Sequence, residues 1–332
     1  MFLIITDSMA VLGIESSAHT LGMGITENGK VLANETRMYK ISNKGLIPSK
    51  VADFHAGNVR DVLLSALKTA KLEIKDIEAV GYTKGPGLGA CLQIGNIAAK
   101  SIAQRYGIPI LPVNHAVAHI EIAKAFSNMN DPIALYVSGG NSQILGMVKV
   151  PFRHYHIYGE TFDIGVGNML DSFARSAKLN PAWGSTVAKV AINGKYISMP
   201  YTVKGMDFAF TGLMTHALRL AESHKLEDIC YSLQETAFSV LCEATERALL
   251  LMNKNELVVC GGVAQSSRLR KMLKLMSKPH NIRFGFAPNE FNADNGAMIA
   301  IVAEHMLKSG IKVHDSDCTV KQKYRIDESI VI

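Results

Sequence analysis

No stretch of about 20 uninterrupted apolar residues occurs in this sequence, so hydropathy offers no membrane-spanning helix. The apolar opening, MFLIITDSMAVLGIE, lacks the basic flank and small-residue cleavage site of a secretory leader. Met9 reads as an alternative start, with residues 1–8 a short N-terminal extension. None of the five cysteines (Cys91, Cys230, Cys242, Cys260, Cys318) belongs to a CxxC pair, which points to a reduced, cytoplasmic protein. The sequence has neither a Walker A element nor GxGxxG. HExxH is absent too: His115 and His119 in PVNHAVAHIEIA have its spacing, but Ala116 stands where the glutamate base would be.

What is present supports sizeable cores. The chain has 332 residues, 48% of them apolar, which suits two lobes of about 150 residues. Its formal charge of +6 is compatible with an RNA partner but does not require one. Basic residues gather at Arg268, Arg270, Lys271, Lys274 and Lys278, and again in VKQKYR; alone, such a run is first of all a solvated helix face.

Period-2 and period-3.6 segments alternate along the chain, which predicts an α/β protein. Strands are expected in AVLGIESS and TLGMGITENGKVLANE, with a hairpin at Asn28-Gly29. A helix should follow in PSKVADFHAGNVRDVLLSALKTAKL, then a strand in IEAVGYTK and a helix in CLQIGNIAAKSIAQRYG. VLGIESSAHTLGMGI and ALYVSGGNSQILGMV share one pattern of apolar run, small polar turn and apolar strand, about 120 residues apart. A duplicated lobe is the reading, with residues 9–128 plus 297–325 in one copy, 129–296 in the other, and 326–332 a tail or the start of a linker.

Three strand-to-turn segments, 14–20, 137–143 and 260–267, could cradle phosphate on glycine-freed backbone N–H groups. GPGLGA at 85–90 fits close packing as well as function. At helical pitch His115 and His119 share a face, one turn apart. They are either half of a metal site or packed histidines. His55, with no companion in sequence, is expected to pack or to line an interface.

Together, GIESSAHT, KGPGLGACLQIGNIAAKSIA, VNHAVAHIE, YVSGGNSQ, GETFDIGVGNMLD, CGGVA and ADNGAMIA resemble the tRNA threonylcarbamoyladenosine transferase family, formerly called O-sialoglycoprotein endopeptidases. The resemblance covers roughly residues 10–325 and is nearer the archaeal and eukaryotic branch. It implies two duplicated actin/Hsp70/sugar-kinase-like (RNase H-like) lobes with a central cleft. It also implies one divalent metal ion, iron or zinc, on His115, His119, Tyr136 and Asp294. The nucleotide contacts it implies are Tyr136, Val137, Ser138, Gly139, Gly140, Asp171, Gly184, Gly261, Gly262 and Ser266. His115, His119, Asp294 and Asp171 would be the catalytic set, with His19, Asp163 and Asp171 as candidate proton acceptors or ligand partners.

The implied reaction moves a threonylcarbamoyl group from threonylcarbamoyl-AMP to the exocyclic amine of the adenosine beside the anticodon, in tRNAs reading ANN codons. The implied setting is a KEOPS complex with a small dimerising subunit, a small kinase/ATPase that is sometimes fused after this domain, and an accessory subunit. The sequence departs from the family in two segments, at three positions: PAWGSTVAK places Trp183 and Ala188 at a usual glycine and a usual acid, and Ser266 replaces an asparagine. The alternatives are a nucleotide-binding scaffold with reduced activity, a small-molecule kinase of the same superfamily and, less well supported, a metalloprotease.

Overall fold

A computed structural model describes residues 9–40, 47–150, 153–311, 313–329 and 331. The expected extension at 1–8 lies outside the described residues.

The first strands are β1 (Ala10–Glu15), β2 (Thr20–Glu27) and β3 (Lys30–Met38). Asn28 and Gly29, with φ of 52° and 75°, form the predicted turn between β2 and β3; positive φ at both matches the right-handed strand twist. Next come α1 (Pro48–Ala70), β4 (Ile77–Gly85), α2 (Gly89–Tyr106), β5 (Ile110–Asn114) and α3 (His115–Ser127). The pattern continues with β6 (Ile133–Val137), β7 (Ser142–Val148), β8 (His154–Glu160), α4 (Val166–Ser176), α5 (Gly184–Val190), β9 (Val203–Lys204) and β10 (Asp207–Phe208). It ends with α6 (Thr211–Leu220), α7 (Leu226–Leu251), β11 (Glu256–Cys260), α8 (Ser267–Ser277), β12 (Arg283–Phe286), α9 (Asn289–Asn292) and α10 (Gly296–Lys308). Hydrophobic period predicts neither β8 nor β12: HYHIYGE lacks alternation, and RFGF is short, with no fully buried residue.

The elements divide into two compact units. The first comprises the chain up to Ala125, Lys149–His154 and the chain from Ala293 onward; the second comprises Phe126–Val148 and Tyr155–Asn292.

In the first unit the sheet order is β3-β2-β1-β4-β5. β1 pairs antiparallel with β2 and parallel with β4, and β4 pairs parallel with β5. α10 lies directly on β1 and β2, and glycine makes that approach feasible. A Cβ on Gly13 would fall 2.2 Å from the Ala300 nitrogen, and one on Gly24 would fall 2.2 Å from the Ala297 nitrogen. Leu12, Ile14, Leu21, Met23 and Ile25 are fully buried in this unit's core.

In the second unit the sheet order is β12-β11-β6-β7-β8, with β6 antiparallel to β7 and parallel to β11. Its core gathers Phe173, Phe208, Phe210 and Phe238, each worth roughly 1.5–3 kcal/mol on burial. α7 is buried along much of its length, and α4, α5 and α6 pack around this core.

Several expected boundaries move: residues 126–128 group with the second unit and Lys149–His154 with the first. Residues 293–296 group with the first unit, not with the second as read from the repeat, because Asn295 is the N-cap of α10 and its side chain accepts the Met298 N–H at 3.0 Å. The expected tail is packed at its described positions: Ile326 and Val331 are buried, and the Val331 N–H donates to the Arg153 carbonyl at 2.8 Å.

Candidate metal centre and phosphate turns

The start of α3 is set by Asn114, whose Oδ1 accepts the N–H groups of Ala116 and Val117 at 2.9 and 3.3 Å. That cap makes His115 the first helical residue and puts His119 one turn on. Their rings meet edge to face with centroids 4.7 Å apart. Asp294 comes from the turn before α10. Its Oδ1 lies 3.5 Å from His115 Nε2 and 3.3 Å from His119 Nε2. Both histidines are buried, while the Asp294 side chain is 22% exposed.

Two imidazole nitrogens and a carboxylate oxygen, all within 4.8 Å of one another, suit a divalent ion. Ligand atoms about 2.0–2.2 Å from a tetrahedral ion stand roughly 3.3 Å apart, which the two histidine–aspartate distances match. The donor set fits iron or zinc equally.

Behind His115 stands a residue that the spacing of the sequence does not disclose. Glu15 ends β1, is wholly buried, and places Oε2 3.0 Å from His115 Nδ1. It also accepts the Ser17 N–H and the Thr83 hydroxyl, each at 2.6 Å. The signal was present in outline: an ionisable side chain closing an entirely buried strand needs partners. Burial alone would push the Glu15 carboxyl up; the charge and hydrogen bond of His115 outweigh it and hold it down. Asp294 likewise resists burial and is held well below the usual carboxylate range by His115 and His119. Burial lowers His119, so its neutral, metal-binding form is favoured.

Tyr136 is buried at the end of β6 in the second unit, whereas His115, His119 and Asp294 all belong to the first. After Tyr136 and buried Val137 the chain turns at Ser138, Gly139 and Gly140. The Ser138 N–H donates to the Asn141 carbonyl at 2.8 Å, so it is spent within the turn; the glycine N–H groups are the ones suited to an anion. Gly261, with φ of 93°, packs against this turn: a Cβ there would fall 2.4 Å from the Val137 carbonyl oxygen. Gly262 has open space around it. Two of the three predicted phosphate turns thus adjoin.

Asp171 Oδ1 accepts the Gly184 N–H at 2.6 Å, joining two other predicted contacts. Burial raises the Asp171 carboxyl, partly offset by that hydrogen bond and by Arg175. Ser266 caps α8, its hydroxyl accepting the Leu269 N–H at 3.4 Å. Ala188 lies half-buried in α5.

Several sequence candidates have structural jobs. Asp163 accepts the N–H groups of Ile164, Phe210 and Thr211 at 2.6, 2.9 and 2.8 Å, so it anchors the start of α6. Those donors hold its carboxyl low against the upward push of burial. His55 is fully buried in α1, and neither ring nitrogen has a hydrogen-bond partner among the described residues. Gly85 is required by packing, since a Cβ there would lie 1.9 Å from the Lys321 carbonyl oxygen. Of the basic run, Arg268 pairs with Glu235, and Arg270 binds the Ala264 carbonyl and Asn289 while stacking on Phe286. Lys271, Lys274 and Lys278 remain exposed. A cavity of ≈ 330 Å³ lined by Tyr196, Tyr201, Tyr231 and Glu235 contains none of the predicted site residues.

Comparison with known proteins follows the same direction. The sequence profile described as tRNA N6-adenosine threonylcarbamoyltransferase matches residues 30–301. A protein of that name from Thermococcus sibiricus is 47% identical over 323 residues, covering 96% of this chain and 98% of the relative. A probable bifunctional tRNA threonylcarbamoyladenosine biosynthesis protein from Thermoplasma volcanium is 42% identical over 322 residues, 96% of this chain and 60% of the relative. The crystal structure of a ROK family glucokinase from Streptomyces griseus aligns with TM-score 0.51 at 11% identity, covering 89% of this chain and 99% of that one; it shows the fold alone. The fold is a mixed α/β one, similar to that of the glucokinase. The chain belongs to the tRNA N6-adenosine threonylcarbamoyltransferase family, in its archaeal branch.

Proposed function

We propose that this enzyme moves the threonylcarbamoyl group of threonylcarbamoyl-AMP onto N6 of the adenosine beside the anticodon, in tRNAs reading ANN codons, as the catalytic subunit of a KEOPS-like complex. The observation that carries the reading is the gathering of His115, His119 and Asp294, in a chain that belongs to the transferase family.

N6 attacks the carbamoyl carbon, the bond from that carbon to the phosphate oxygen breaks, AMP leaves with the electron pair, and one N6 proton is shed. An exocyclic amine is a poor nucleophile, so the protein's work is positioning and charge neutralisation. A divalent ion held by His115, His119 and Asp294, with Tyr136 as the further candidate, would supply Lewis-acid stabilisation of anionic oxygen. The N–H groups of Gly139 and Gly140, in the turn that Gly261 packs against, would receive the phosphate of the leaving group. Asp171 with Gly184 and Ser266 are the candidate contacts to the nucleoside end. With Asp163 spent on capping, His19 and Asp171 are the remaining proton acceptors or ligand partners.

Three wider readings belong to the same proposal. The two units are duplicated lobes, a reading supported by the matching strand orders β3-β2-β1-β4-β5 and β8-β7-β6-β11-β12. The partners are tRNA, met partly by Lys271, Lys274 and Lys278, and the subunits of a KEOPS-type complex in the cytoplasm. A kinase/ATPase fused to this domain is compatible with the Thermoplasma volcanium relative, of which the matched portion is 60%.

The test is nucleoside mass spectrometry of tRNA incubated with the chain, partner subunits, ATP, threonine, bicarbonate and the adenylate-forming enzyme. Threonylcarbamoyladenosine made by wild type but not by a His115→Ala, His119→Ala double variant is the expected result. No product, with partners shown to be active around another catalytic subunit, would leave a nucleotide-binding scaffold.

A further inference from the structure

The metal reading rests on three side chains, but the structure places a fourth group so that one of them has a single way to act. Glu15 Oε2 lies 3.0 Å from His115 Nδ1, on the opposite side of the ring from Asp294, which faces Nε2 at 3.5 Å. A neutral imidazole whose Nδ1–H donates a hydrogen bond to a carboxylate presents the Nε2 lone pair, and only that lone pair, to an ion. Glu15 cannot swing away: it is wholly buried, and it is gripped by the Ser17 N–H on one oxygen and by the Thr83 hydroxyl on the other, both at 2.6 Å. Those donors come from the turn after β1 and from β4, while His115 opens α3. Three segments of the first unit therefore converge on one carboxylate, whose remaining hydrogen-bonding capacity is directed at the histidine.

We propose that Glu15 is a positioning residue for the metal centre: it holds His115 with its proton on Nδ1 and its Nε2 turned toward Asp294, and with Asp294 it supplies two negative charges to match a divalent ion. The inference rests on the metal reading of His115, His119 and Asp294 but concerns a different residue. Glu15 touches neither the ion nor the substrate; it acts through His115.

Two measurements test it. The first is Co²⁺ binding, followed by its visible absorption, to wild type, Glu15→Gln and Thr83→Val, alongside the melting temperature of each metal-free protein. Glu15→Gln is expected to weaken Co²⁺ binding by about 10–100-fold, the usual effect of losing an outer partner of a ligating histidine. Thr83→Val, which removes one restraint on Glu15, is expected to weaken it less. Unchanged Co²⁺ affinity in Glu15→Gln, with a lowered melting temperature, would reduce Glu15 to a structural brace and overturn the inference. The second measurement needs no change at Glu15: long-range ¹H–¹⁵N spectra of Zn²⁺-loaded wild type, with the His115 signals assigned through His115→Gln. A protonated Nδ1 and a metal-bound Nε2 are expected, and binding through Nδ1 would overturn the inference even if Glu15→Gln failed to fold. Absence of Co²⁺ uptake by wild type would reject the metal reading as a whole, whereas equal uptake by wild type and Glu15→Gln would reject only the role of Glu15.

Discussion

His119 Nε2 and Asp294 Oδ1 approach to 3.3 Å although 175 residues separate them in the chain. The contact exists because α3 and α10 belong to one unit, α10 being pressed onto β1 and β2 where Gly13 and Gly24 leave room for its backbone. Removing both imidazoles should therefore abolish metal binding without dismantling the sheet. A His115→Ala, His119→Ala double variant is expected to lose more than about 100-fold in threonylcarbamoyladenosine formation. Product quantified by mass spectrometry, with metal content measured on the same sample, checks this.

The glycine contact makes its own prediction. Gly24→Ala would set a Cβ 2.2 Å from the Ala297 nitrogen, in the first turn of α10. Helix or strand must shift, at about 1–3 kcal/mol. Because Asp294 precedes that turn, Co²⁺ affinity should fall along with the urea midpoint. Gly140→Ala, where a Cβ meets nothing within 4 Å, should leave the midpoint unchanged.

Asp163 predicts a pH dependence. Its folded carboxyl sits below the ordinary value because three backbone N–H groups outweigh burial. The unfolded chain therefore binds that proton more readily. The stabilisation is present above the unfolded value of about 3.9 and is lost as pH falls through the lower folded value. Asp163→Asn should cost no more than about 1 kcal/mol at pH 7, since the carboxylate is exposed and screened. The gap from wild type in urea unfolding should close as pH drops below about 4.

Ser266 combines a helix cap with the place of a family asparagine. Asn caps a helix about as well as Ser, so Ser266→Asn should leave the melting temperature nearly unchanged. If the position meets the nucleoside, AMP should bind several-fold more tightly by calorimetry. Unchanged AMP affinity would assign Ser266 to capping alone.

The cysteines offer a simple check on the cores. All five are free and buried. Burial pushes the Cys91 thiol up to about 11 and those of Cys230 and Cys242 up to about 12, which leaves almost no thiolate at pH 8. Native protein should resist iodoacetamide, and protein in guanidinium should take up five labels, counted by intact mass.

Local pattern was enough for much of the fold. Asn28-Gly29, the Pro at the head of α1 and the alternating strand and helix periods identify most elements, because turn chemistry and amphipathic period are properties of neighbouring residues. β8 and β12 escaped because RFGF and HYHIYGE carry no clear period. The i, i+4 histidines were legible for the same local reason, since helical pitch alone puts them on one face.

What the histidines face was not legible in spacing. Asp294 entered through family resemblance, and only the packing of α10 on the sheet shows it at hydrogen-bonding distance from both rings. Glu15 has no sequence relationship to His115 at all; the pair exists because β1 ends, in parallel register with β4, beside the start of α3. Likewise Asp163, a plausible acid or base in sequence, became a cap once the start of α6 brought the Phe210 and Thr211 N–H groups to it. The sequence by itself determined most of the strands and helices and marked the histidines and glycine turns that could hold a metal or a phosphate. Tertiary structure alone decided which of those side chains meet, because a carboxylate's role depends on the donors that fill its lone pairs, and these arrive from remote parts of the chain.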